Sequence, residues 1–277
     1  MSTLTSSPET TTRTATEVHP RGGAGRAFLA ILWRDIFVTG KEFWVFVVQV
    51  ALQPLFMLFV FAKVLGSLNY VSGNYGHLLL PGIVALTTFL TGLQSVAFPL
   101  VMEFSFTKEI EDRLLAPLPT TLVAVEKLMV AMLRGTTASL VMFPIGALVL
   151  GSAPWRAAGI PVLVLVLILG AWVGSGIGLT IGTFMPPTRI NIMFAVILTP
   201  LMFTGAIQYP WPSLDRMRWF QVVTACNPLT YAAEGVRGAV NPATPHIAAW
   251  ICVLVLVGAG ALFTATGVKG FLRRAID

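Results

Sequence analysis

The sequence predicts an all-α integral membrane protein with six transmembrane helices, and three observations predict it. Of 277 residues, 56% are hydrophobic and only 11% are charged, against about 25% charged in soluble domains. Apolar runs close to the ~20 residues that cross a bilayer core recur six times. Between the second and third runs the chain turns densely charged, with nine charges from Glu103 to Arg134.

Taken in order, residues 1–24 are rich in Ser, Thr, Glu, Arg and Gly with no apolar core. They read as a disordered cytoplasmic tail rather than a signal peptide or a span. From Gly25 to Gly40, Phe28, Leu32 and Ile36 recur every fourth residue beside Leu29 and Trp33. That spacing predicts an amphipathic helix lying in the membrane interface, although the first turns of a tilted span would show the same pattern. Residues 25–277 then form one transmembrane domain with spans at about 43–65, 78–102, 128–150, 160–184, 190–208 and 246–268. The fifth is the shortest and ends in Gln208-Tyr209-Pro210-Trp211-Pro212, so a broken or tilted helix is expected there. After it, Asn227-Pro228 is an N-cap and N1 pair. Leu229, Ala232, Ala233, Val236 and Val240 come next at helical spacing, with Glu234 and Arg237 three apart. Short helices at the outer surface are the expectation for this stretch.

The Lys108–Arg113 cluster cannot lie in lipid, because a charge at the centre of a span costs roughly 2.5–3.5 kcal/mol. It is short, and Pro117 and Pro119 break it. Glu109, Glu111, Asp112 and Arg113 give a charged face and Leu114 and Leu115 an apolar anchor, which suits a docking helix better than a solvated loop. Orientation follows from the Lys and Arg count. With the N-terminus cytoplasmic, thirteen basic residues fall inside, and Arg156, Arg216, Arg218 and Arg237 outside, with Lys63 near the outer end of the first span. Both termini and the charged segment are therefore expected in the cytoplasm of a multi-pass cell-membrane protein. The net charge of +6 suits an anionic membrane surface, and no interleaved basic and aromatic patch points to nucleic acid.

The fourth predicted span carries Gly170, Gly174, Gly178 and Gly182 on one face, a ladder that lets another backbone approach closely. A sliding helix pair and static packing both produce such a ladder. Ionisable groups are read as nearly absent from the spans, so no Asp, Glu or His proton relay is expected. Gln49 and Gln53, four apart beside Phe46 and Phe56, could line a route for an amphipathic substrate or bond between helices. Cys226 and Cys252 have no metal-ligand spacing. No G-x-x-x-x-G-K-[ST] phosphate loop is present, so the chain lacks its own P-loop ATPase site. Uncharged spans, a docking segment and no nucleotide site point to a transporter subunit driven by a separate ATPase.

Three stretches resemble the membrane subunit of ABC-2 type transporters, in the branch of daunorubicin-type drug exporters and nodulation-factor exporters. They are Ile31-Leu32-Trp33-Arg34-Asp35 leading into Val50-Ala51-Leu52-Gln53-Pro54-Leu55, then Asp112-Arg113-Leu114-Leu115-Ala116-Pro117-Leu118-Pro119. The third is Pro200-Leu201-Met202-Phe203 with Asn227-Pro228-Leu229-Thr230-Tyr231 and Glu234-Gly235-Val236-Arg237-Gly238. Glu126-Lys127 departs from the family's usual Gly-Lys. The resemblance implies two permease copies, as homodimer or related heterodimer, each docked on a nucleotide-binding ATPase that holds the ATP and magnesium. It implies coupling through Arg34 and the Glu109–Pro117 segment, and export of an amphipathic drug, lipid or glycolipid past Gln49, Gln53, Phe56 and Phe203. Glycan export within the same family, a non-transport scaffold and an intramembrane enzyme are the competing readings.

Overall fold

Helix is the only regular structure among the described residues, and it satisfies backbone groups within the segment where hydrocarbon offers them no hydrogen-bond partner. The computed structural model describes residues 24–41, 43–70, 74–104, 119–151 and 156–276. In order the helices are α1 (Ala24–Lys41), α2 (Phe43–Ser67), α3 (Tyr75–Met102), α4 (Thr120–Leu150) and α5 (Ile160–Phe184). They continue as α6 (Ile190–Thr204), α7 (Arg218–Ala225), α8 (Pro228–Val240) and α9 (Ala249–Ile276). α2 widens into π-type turns over Phe59–Val64. α4 stops at Gly151, whose φ of 77° is left-handed and so favours a residue without Cβ.

Five of these helices are long and apolar enough to cross a membrane: α2, α3, α4, α5 and α9. The chain is a multi-pass membrane protein. The expected fifth span, 190–208, differs. Helix there ends at Thr204 after 15 residues, about 22 Å of rise against a hydrocarbon core of about 30 Å. The helix of the third span begins at Thr120 rather than 128, carrying Glu126 and Lys127 within its first turns. The last begins at Ala249 rather than 246.

α3 and α5 form the centre of the bundle, with α4, α8 and α9 packed around them. Leu79, Leu80, Ile83, Phe89 and Leu93 of α3 and Leu167 and Val173 of α5 are wholly or almost wholly buried. Gly174 packs on Phe89 and Gly178 on Leu93, while Gly182 packs on Ala97 and Leu100. α3 and α5 therefore run in the same direction. Gly260, Gly267 and Gly270 of α9 likewise meet Trp172, Leu179 and Thr183 of α5 in ascending order. α4 runs the opposite way, since Gly146 meets Leu80 and Gly135 meets Thr88.

Because α5 and α9 are parallel, the chain must return to the Tyr75 end of the bundle between Phe184 and Ala249. α6 makes that return. Its Phe194 stacks on Phe98 at 4.3 Å, near the Met102 end. Thirteen residues later, Ile207 lies against Gly82 and the Gln208 carbonyl accepts from the Tyr75 hydroxyl at 3.0 Å.

Candidate functional site

At the Met102 end, the charged segment is rooted on both sides. Glu103, the residue after α3, pairs with Lys127 of α4 at 2.6 Å, with side chains only 11% and 9% exposed. Phe104 packs edge-on against Phe271 of α9. Arg274 of α9 lies over the Phe104 ring at 4.7 Å. The same guanidinium donates to the carbonyls of Gly182, Thr183 and Met185 at 3.0–3.3 Å, satisfying acceptors that the end of α5 leaves open. Glu109, Glu111, Asp112, Arg113, Leu114, Leu115 and Pro117 lie outside the described residues.

A cavity of about 430 Å³ opens between α2, α3 and α4. Gln49 and Gln53 of α2 face Thr87, Thr91 and Gln94 of α3 across it, with Phe46 and Phe98 on its walls and Arg134 of α4 at one end. Thr39, Ser95, Pro99 and Arg134 also line a second cavity of about 250 Å³. That vestibule holds Arg34 and Asp35 of α1, Glu103, Glu126 and Lys127. Arg34 contacts Asp35 at 3.3 Å. Two of the pathway residues expected from sequence stand elsewhere. Phe56 and Phe203 are 58% and 64% exposed and line neither cavity. Helical phase explains Phe56: the cleft-facing stripe of α2 is Phe46, Gln49, Gln53 and Met57, and Phe56 points roughly one residue's rotation away from it.

At the Tyr75 end, α8 clamps the last turn of α6 and the bent backbone of residues 205–207, where Ala206 has a φ of 49°. The carbonyls at the end of a helix need partners, and α8 supplies several. Asn227 Nδ2 donates to Leu201 O at 2.8 Å and Thr230 Oγ1 to Thr204 O at 3.2 Å. Arg237 donates to Ala206 O at 3.0 Å and Ile207 O at 3.4 Å. Arg237 also pairs with Glu234, both wholly buried. The Glu234 carboxylate in turn accepts the backbone N–H groups of Trp211 and Ile247, each at 3.0 Å. Burial lowers the Arg237 pKa, and the Glu234 charge opposes that shift.

The glycine ladder is not uniform. A Cβ at Gly174 or Gly178 would run into the carbonyl oxygens of Phe89 and Leu93, and one at Gly182 would meet Leu100 at 3.0 Å. At Gly170 the nearest atom, the Ala232 methyl, is 3.5 Å away, an ordinary contact.

Sequence reasoning missed Arg134 as a lining group, because its charge was grouped with the cytoplasmic segment. The signal was present: the residue lies inside the apolar run of the third span. It also missed the root contacts of Arg274, which connect residues far apart in sequence.

Residues 26–241 match the family described as ABC-2 type transporter. A protein of Porphyra purpurea named "Putative transport permease ycf38" is 24% identical over 192 residues, covering 67% of this chain and 64% of that protein. Its namesake in Cyanophora paradoxa is 25% identical over 224 residues, covering 76% of this chain and 72% of that protein. The chain thus spans just under two thirds of the Porphyra permease's length. The family match extends from α1, whose Arg34 lines the vestibule, through the clamp of α8 on the end of α6, and so the chain belongs to the ABC-2 type transporter family.

Proposed function

We propose that this chain is the membrane-spanning subunit of an ATP-driven exporter of amphipathic compounds. Its energy comes from a separate nucleotide-binding ATPase that holds ATP and magnesium and docks on the Glu109–Pro117 segment and Arg34. The observation that carries the reading is the glutamine-lined cleft joined to a charged vestibule at the root of that segment. A scaffold has no need of such a cavity within its bundle.

In this reading α6 and residues 205–208 complete a sixth crossing, so both termini lie in the cytoplasm. Its non-helical end is tolerable at membrane depth because protein buries and satisfies it. Gly205, Ala206 and Ile207 are buried, and Arg237 answers two of their carbonyls. The Met102 end of the bundle is then the inner end. A second permease copy covers the opposite side of the pathway, and lipid meets the exposed apolar face of α2, including Trp44, Val48, Leu52 and Phe56.

The test is purification of the chain from its own membranes in mild detergent. Co-purification of a P-loop ATPase whose turnover rises with added amphiphiles is expected. A chain that purifies without an ATPase, and whose loss leaves amphiphile efflux unchanged, would remove the transport reading.

A further inference from the structure

Gln49 and Gln53 stand about one turn apart on α2, and Gln94 of α3 lines the same cleft. Gln53 is ten residues into α2 and Gln94 eight residues before the end of α3, about 15 Å and about 12 Å of rise. Both depths lie within a hydrocarbon core of about 30 Å. All three amides are exposed to the cleft, and among the described residues none of them hydrogen-bonds to protein. The bond between helices that their spacing also allows is therefore not made among those residues. An amide carries two N–H donors and a carbonyl acceptor, and leaving these bare against hydrocarbon is costly. A water that satisfies them is displaced at a loss unless the ligand returns both kinds of partner.

Charge gives the cleft no preference for either sign. Among the described residues that line it, Arg134 is the one charged side chain. Arg134 also borders the vestibule, where Arg34, Lys127 and Arg134 stand against Asp35, Glu103 and Glu126. Lys127 pairs with Glu103 and Arg34 with Asp35, and Asp35, Glu126 and Arg134 have interactions of their own. Three cations thus balance three carboxylates, and an ionised ligand finds no uncompensated partner. Selection falls to the neutral groups. Phe46, Val50, Met57, Leu86 and Leu90 line the cleft beside the glutamines, which suits a polar head with an apolar body better than a free polar solute.

We propose that the cleft binds amphiphiles with an uncharged head rich in hydroxyl or amide groups. Gln49, Gln53 and Gln94 engage that head as donors and acceptors, and the apolar body rests on the wall of Phe46, Met57 and Leu90. Ionised heads are disfavoured because the cleft returns no counter-charge for the hydration they lose. This rests on the transport reading and narrows its cargo from amphiphiles in general to neutral, hydrogen-bonding ones.

The experiment uses the full chain in phosphatidylcholine nanodiscs without any ATPase, with empty nanodiscs subtracted. Four probes share one dansyl-aminoundecyl body and end in a glucoside, a methyl ether, a carboxylate or a trimethylammonium group. The glucoside should bind about tenfold or more tighter than the ether, and neither ionised probe should bind better than the ether. Gln49→Met, Gln53→Met and Gln94→Met keep the side-chain length without the amide. Each should weaken the glucoside about two- to tenfold, the scale of one neutral hydrogen bond, and leave the ether unchanged. Equal binding of glucoside and ether by the wild-type chain overturns the proposal without any variant. So does an ionised probe that binds as tightly as the glucoside, or a glucoside preference that survives all three variants. Displacement of the glucoside probe by free glucose alone would assign the cleft to a soluble sugar and overturn the amphiphile assignment. Loss of paired permease copies in the methionine variants, with glucoside binding unchanged, would assign the amides to a second copy and overturn it too. Because no ATPase is present, a failed ATPase association and a failed head-group preference are read separately.

Discussion

Glu234 and Arg237 stand one turn apart on α8 with neither side chain touching solvent, and together they fasten three separate pieces of chain. Arg237 holds the carbonyls after α6, and Glu234 holds the N–H groups of Trp211 and Ile247. Removing one member strands a buried charge, which costs about 3–5 kcal/mol. Arg237→Ala and Glu234→Ala should each lower the unfolding temperature sharply in detergent. The double variant Glu234→Ala/Arg237→Ala should lose less than the sum of the two, since the partners share one network. Strict additivity would show that the pair is not a unit.

The α3–α5 contact makes a position-specific prediction. Gly174→Ala and Gly178→Ala place a methyl where the Phe89 and Leu93 carbonyls stand and should cost about 1–3 kcal/mol as overpacking. Gly170→Ala meets only ordinary contacts and should be tolerated, so thermal unfolding separates positions that look alike in the sequence. Gly174→Leu/Gly178→Leu should abolish folded yield. Four equivalent responses along the ladder would mean that α5 presents this face to lipid.

The long spans were legible because their signal is local: about 20 apolar residues in a row need no tertiary context. α6 was legible as short and broken, from its length and from Pro210 and Pro212 beyond it, but its supports were not. Those come from Asn227, Thr230 and Arg237, more than twenty residues later. Gln49 and Gln53 share one face in the sequence, and both line the cleft. That Phe56 stands off the cleft was not legible, because sequence gives the relative phase of side chains on a helix without saying which phase meets the neighbour. That Arg134 lines both cavities was not legible, because a positive charge inside an apolar run counts equally well for topology and for a site.

The topology has a direct chemical test. In a Cys226→Ser background, needed because Cys226 is exposed, cysteines at Ser213 and Asn241 should react with impermeant maleimide from outside sealed cells. A cysteine at Thr120 should react only after permeabilisation. Labelling of Thr120 in sealed cells would reverse the orientation and remove the docking assignment with it.

Arg274 ties the end of α5 to Phe104, the last described residue before the charged segment. Arg274→Ala should leave ATPase association and basal ATP turnover intact while amphiphile-stimulated turnover falls. Arg274→Lys, which still donates to the carbonyls but lacks the planar face for Phe104, should recover only part of the stimulation. Parallel loss of association, basal turnover and stimulation would mark Arg274 as a folding residue instead.

Docking through the segment between α3 and α4 is the central claim, and association of the two subunits measures it most directly. Wild-type chain, Asp112→Ala/Arg113→Ala and Leu115→Asp are each co-expressed with the ATPase, and pull-down and ATP-dependent transport are read from the same membranes. Loss of a desolvated charge partner costs roughly 2–5 kcal/mol of binding, more than a tenfold fall in affinity even at the low end. The account predicts variants that insert at normal levels yet release or uncouple the ATPase. Unchanged association together with unchanged transport in both variants would contradict it.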